Sequence, residues 1–198
     1  MSTYDWAAES RKQYTEMLTE LYFDEHSALH LLRTNHNTSL FLDNPDVEHS
    51  FDAHEAAMNK LQDVDCRHVT GEIYGLATYI EDWFIPNTNT ETDDSGSHQG
   101  VFVLTNIAKP FFVMGESDSG GFLGGSLPFD SIDKFSTPEL VELAGEISRK
   151  LKAAGLTRAK KEELNEPLPD GVKAGNYSGN AELLVFDGYF NTIDDPDY

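Results

Sequence analysis

Apolar residues Tyr14, Met17, Leu18, Leu21, Ala28, Leu29 and Leu32 recur at three- and four-residue steps, the spacing of one stripe along a helix. The stripe predicts one helix, or two broken near Phe23-Asp24, begun by Ser2 with Asp5 three residues on. After a loop over 35–43, Asn44 and Pro45 supply a cap and a first-turn proline for another helix. On it Val47, Phe51, His54, Met58 and Leu61 are expected to share the inward face, with Glu48, His49, Asp52 and Glu55 outward.

After Cys66 the period changes. Residues 69–80, VTGEIYGLATYI, are rich in β-branched and aromatic types and predict a strand with a bulge, followed by a polar loop over 86–100. Residues 100–126 form the stretch around which the rest is organised. Val101 to Leu104 and Phe111 to Met114 are apolar at successive positions, so this hairpin needs cover on both faces, from the chain itself or from a neighbour. The glycine-rich GESDSGGFLGGS of 115–126 follows as a connection that uses glycine for positive φ.

Ser136-Thr137-Pro138-Glu139 then starts a helix with a serine cap, which runs to about Ala154 before Gly155 and carries Arg149, Lys150 and Lys152 in its last turns. A short helix over 157–164 is expected next. Apolar residues on both sides of Asp187-Gly188 predict a C-terminal hairpin with a tight turn. The expected architecture is α+β: an antiparallel sheet with an N-terminal helical layer and a helix pair between the central and C-terminal hairpins. One domain covers 1–198, mainly helical over 1–65, mainly β over 66–135, helical over 136–165, with a β-hairpin and tail over 176–198.

Charge narrows the function. The chain has 35 acidic and 14 basic residues, a net charge of −21, which repels phosphate backbones and anionic lipid and so argues against direct nucleic-acid or membrane binding. Salt adaptation is an alternative source of such acidity, but large apolar residues are not depleted. The single cysteine, Cys66, excludes an internal disulfide and suits a reducing cytosol. No basic segment followed by an apolar run begins the sequence, and no apolar run spans a bilayer, so a cytoplasmic protein is expected.

The candidate chemistry is sparse. Six of the seven histidines lie between His26 and His68; His26 and His30 share a helix side and are weak metal candidates, without an HExxH spacing or a cysteine pair. His54, on an apolar face, needs partners for its ring nitrogens, a backbone carbonyl or a carboxylate, and a structural role is expected of it. Cys66 and His68 would face the same side of a strand, which makes a reactive thiol conceivable beside the commoner inert one. Asp118-Ser119-Gly120-Gly121 is similar to the tetrapeptide around the nucleophile of chymotrypsin-like serine proteases, but no signature for the base accompanies it. GGFLGG lacks the Lys-Ser/Thr ending of a phosphate loop. No catalytic residue and no cofactor are assigned.

The acidic surface is therefore the most informative feature. Glu9, Glu16, Glu20, Asp24, Asp46, Glu48, Asp52 and Glu55 lie on helical segments where carboxylates could oppose a cationic groove that normally receives phosphate. The reading preferred is a non-enzymatic inhibitor, of the immunity, antitoxin or phage-encoded anti-defence kind, with a nuclease or nucleic-acid-binding enzyme as its basic partner. The alternatives are a virion or other assembly protein, with self-association through the apolar hairpin, and a histidine-based metal enzyme.

Overall fold

The computed structural model describes residues 6–35, 43–70, 76–87, 99–118, 129–175, 178–190 and 192–193. The expected cap at Ser2, most of the loops before Asp43 and after Pro86, and most of the glycine-rich stretch lie outside these residues. Helices α1 (Trp6–Phe23) and α2 (Ala28–Asn35) are separated at 24–27, where the Ser27 N–H donates to the Asp24 carbonyl at 3.0 Å and the Ser27 hydroxyl donates to Leu21 O. Helix α3 (Pro45–Leu61) starts as its sequence dictates: the Asn44 side chain accepts from the Asp46 N–H at 3.0 Å.

Among the described residues the main sheet consists of β1 (Cys66–Thr70), β3 (Tyr79–Pro86), β4 (Gln99–Asn106), β5 (Phe111–Asp118) and β6 (Thr157–Arg158). They lie in the order β1-β3-β4-β5-β6, antiparallel except for the last pair. Two-residue strands β2 (Leu76–Ala77) and β7 (Thr192–Ile193) pair separately. The helix pair after the central hairpin resolves into α4 (Pro138–Ala153) and α5 (Lys161–Leu164), and a short helix α6 (Val185–Tyr189) follows. The protein is thus an α+β fold.

Successive apolar residues in β4 and β5 serve two cores. Phe102, Leu104, Phe111 and Val113 pack with Tyr14, Leu18 and Leu21 of α1 and with Phe186 and Tyr189 of α6. Val101, Val103, Phe112 and Met114 pack with Ala53, Ala57 and Leu61 of α3 and Leu143 and Ile147 of α4. The central hairpin is covered on both faces by the chain's own helices, as strands without polar alternation require.

Several local expectations are corrected. Phe51 is 38% exposed, and the face of α3 toward the core is Val47, Ser50, Ala53, Ala57 and Leu61; small side chains let the helix approach the sheet, and that packing outweighs the size of Phe51. Of the strand with a bulge expected over 69–80, residues 71–75 lie outside the described residues; the described ends belong to β1, β2 and β3, and the longer strand Tyr79–Pro86 extends beyond it. The cap of α4 is Thr137, whose hydroxyl accepts from the Leu140 N–H at 3.3 Å, while the Ser136 hydroxyl donates to Glu116 at 2.7 Å. Thr157 and Arg158 leave the expected helix to pair parallel with Phe111 and Phe112.

The C-terminal hairpin is the largest correction: Val185–Tyr189 is helical. The Asp187 carboxylate accepts from the Leu184 N–H at 2.8 Å and from the Ser178 N–H and hydroxyl at 2.6 and 2.9 Å, which fixes a helical start where the dipeptide suggested a turn. Gly188 is needed here for close approach. A Cβ at that position would stand 2.5 Å from Leu18 Cδ2 of α1.

Candidate functional site

The eight carboxylates read as a partner-binding set are divided by the sheet. Helix α1 packs on one face and α3 on the other, so Glu9, Glu16 and Glu20 lie on a different layer from Glu48, Asp52 and Glu55; the two groups come together only through the turn after α1, where Asn44 Nδ2 donates to His26 O at 3.0 Å and Val47 packs with Ala28. At 3.6 residues per turn Glu9, Glu16 and Glu20 line one stripe of α1, all exposed. That stripe is tempered by Lys12, which pairs with Glu16 at 3.6 Å. Asp24 accepts from the His26 N–H at 3.0 Å, as befits a helix break.

On α3, Glu48, Asp52 and Glu55 form a second exposed stripe, with Phe51 at its flank. Asp46 is spent on Lys109, whose ammonium lies 2.6 Å away. The base at the end of α3 is turned aside: Lys60 Nζ donates to Ala153 O at 2.7 Å, and Lys150 Nζ donates to Lys60 O at 2.6 Å, so α3 and α4 cap each other's C-termini. Glu139, Glu142 and Glu146 of α4 add carboxylates on this side of the sheet, a contribution that reading the N-terminal half alone missed.

The basic stretch after Arg149 is largely consumed by the chain's own acids. Arg158 Nη2 and Lys160 Nζ lie 2.6 and 3.3 Å from Asp133 Oδ1, the Lys161 N–H donates to Asp133 Oδ2 at 2.9 Å, and Lys161 Nζ donates to Asp130 at 2.6 Å. The Lys161 ammonium also holds the exposed Asp130 carboxyl below the ordinary carboxylate range, first by its hydrogen bond and then by its charge.

A second constellation lies under α3. The Asp82 carboxylate, 0% exposed, accepts from His54 Nε2 at 2.7 Å through Oδ2, and from His68 Nε2 at 2.8 Å and the Thr70 hydroxyl at 3.1 Å through Oδ1. Register explains the convergence: His68 stands beside Phe84 and Thr70 beside Asp82 across the β1–β3 pair, so all four point to the α3 face. The His68 ring stacks on Phe84 with centroids 4.6 Å apart and planes 9° off parallel. Burial pushes the Asp82 carboxyl upward, and the hydrogen bonds and charges of His54 and His68 more than offset it, leaving the group below its ordinary value.

The carboxylate anticipated as a partner for His54 is thus Asp82, which composition alone did not single out. Its signal was an acid between Ile80 and Phe84 at inward-facing spacing. Cys66 occupies the same side of β1, as expected, but its thiol is pushed up by burial, then by Asp65 and Glu146, which opposes nucleophilic use. His30 Nδ1 lies 3.1 Å from Tyr22 O, whereas His26 is exposed beside Glu25. Among the described residues no three His, Cys, Asp or Glu side chains are placed to hold a metal ion. Ser119, Gly120 and Gly121 of the protease-like tetrapeptide lie outside the described residues.

These features define a class: an α+β protein with a mostly antiparallel sheet between two helical layers, each carrying an exposed acidic stripe. Among the described residues no helix is long and apolar enough to cross a membrane. No protein-family model, no curated protein and no solved structure matches the chain.

Proposed function

We propose that the chain is a cytoplasmic, non-enzymatic binding protein that blocks a basic, nucleic-acid-binding site on a protein target, in the manner of an immunity protein, antitoxin or phage-encoded anti-defence inhibitor. The observation that carries this reading is the exposed stripe Glu48, Asp52 and Glu55 on α3, a helix anchored along its length while its terminal lysine is turned to a neighbouring helix end. Carboxylates on a rigid helix present charge without the ordering cost of a flexible segment, which favours fast, salt-sensitive association with a cationic groove. The net charge of −21 adds long-range attraction for the same partner.

The test is affinity capture at low salt followed by a sodium chloride gradient. Elution of one basic nuclease or nucleic-acid-binding enzyme at moderate salt is expected. Retention through high salt of nothing but further copies of the chain would remove this reading.

A further inference from the structure

One buried carboxylate ties together three elements: His54 reaches it from a helix, His68 from an edge strand, and Asp82 itself lies inside the sheet. Because an ionised carboxylate only accepts, both Nε2 atoms donate, and each ring gains or loses its further proton at Nδ1. The trio therefore passes from one net negative charge, through neutrality, to one net positive charge as two protons are added. The two rings share one wholly buried carboxylate, so a charge placed on either ring is felt by the other.

We propose that His54, His68 and Asp82 form one proton-coupled clamp holding α3 and β1 against the sheet, whose proton count sets how tightly both elements are held. Among the described residues the groups facing it are few. Thr70 of β1 donates to Asp82, Phe84 of β3 lies under His68, and Val103 of β4 is the apolar cross-strand neighbour of Asp82. Glu81 adjoins Asp82 in the chain on the other face of the sheet. Glu146 of α4 and Asp65 act on Cys66, two residues from His68, and the carboxylates of α3 itself are the outward Glu48, Asp52 and Glu55. Depression of the Asp82 carboxyl keeps the shared acceptor ionised while the rings titrate. The clamp requires no partner and is read on the free protein, so it stands or falls separately from the acidic-face reading.

The test is long-range proton–nitrogen NMR of the imidazoles across pH 5–8, with amide hydrogen exchange over the same range, for the full chain and its His54→Gln variant. Glutamine keeps an N–H donor for Asp82 but takes up no proton. The expected result is a His68 midpoint displaced upward by about half a pH unit or more in the variant, since the carboxylate's charge is no longer shared. Exchange in β1 and α3, corrected for its intrinsic pH dependence, should change together by about threefold or more in the native chain and by less in the variant. A His68 curve superimposable on that of the native chain, or exchange in β1 and α3 indifferent to imidazole protonation, would overturn the proposal. If His54→Gln does not fold, His68→Gln read through the His54 ring puts the same question.

Discussion

Glu81 and Asp82 are consecutive in β3, face opposite sides of the sheet, and have their acidities driven in opposite directions. Glu81 is pushed up to about 7, first by burial and then by the charge of Asp82; Asp82, despite its burial, is held below the ordinary range by the two histidines. A carboxyl raised in the folded state retains a proton that the unfolded chain releases from about pH 4. Its contribution therefore falls as pH rises, and the cost is fully present above about 7. Glu81→Gln should leave stability near pH 4 almost unchanged and raise it by about 1–2 kcal/mol at pH 8, a figure reduced for the part of the side chain that water still reaches. Urea unfolding at the two pH values checks this, and an equal effect at both would reject it.

The sign reverses for Asp82. A depressed folded-state value contributes stability that is present above the unfolded carboxylate range and is lost as pH falls through the folded value. Asp82→Ala removes the shared acceptor of His54, His68 and Thr70 and should cost about 3 kcal/mol at pH 7. The variant should also lose part of the native chain's steepening instability below about pH 4. Denaturant midpoints at neutral and acid pH give both quantities, and a loss that is the same at every pH would assign the effect to packing.

At Gly188 the constraint is steric. A methyl group there meets Leu18 Cδ2 at 2.5 Å and Leu168 Cδ1 at 3.0 Å, between α1 and the segment before α6. Both contacts lie in the larger core, where neighbours have little room to move. Gly188→Ala should destabilise by about 1–3 kcal/mol although alanine is the better helix former. Thermal or urea unfolding decides between the two effects, since a gain in stability would mean that propensity outweighs the clash.

These residues also show how far the chain could be read from its order alone. The α3 start at Asn44-Pro45, the proline-led start of α4 and the apolar runs of β4 and β5 were legible because each is set by neighbours in sequence. The segment around Asp187-Gly188 was not, because its helix is selected by distant contacts: Ser178 on the carboxylate and Leu18 over the glycine. Phe51 misled for a related reason, since the face of α3 was chosen by Ala53 and Ala57 fitting the sheet and not by the largest apolar side chain. In the candidate clamp, the need of His54 for a partner was visible. The identity of that partner depended on a strand register that no local spacing encodes.

The separation of the two acidic stripes by the sheet allows the binding proposal to be tested with an internal control. Glu48→Lys, Asp52→Lys and Glu55→Lys together reverse the exposed stripe of α3; the matching triple at Glu9, Glu16 and Glu20 makes the same change in net charge on α1. If α3 meets the basic target, its triple variant should weaken binding by on the order of 100-fold at low salt, mostly by removing steering and close charge pairs, and should flatten the dependence on ionic strength. The α1 triple should change affinity by about threefold, because its stripe lies on the other helical layer and charges beyond about 10 Å are screened at ordinary salt. Circular dichroism would confirm that both variants keep the native helices. Equal losses in the two variants would show that the target responds to total charge and not to α3, and the assignment of the binding face would fall.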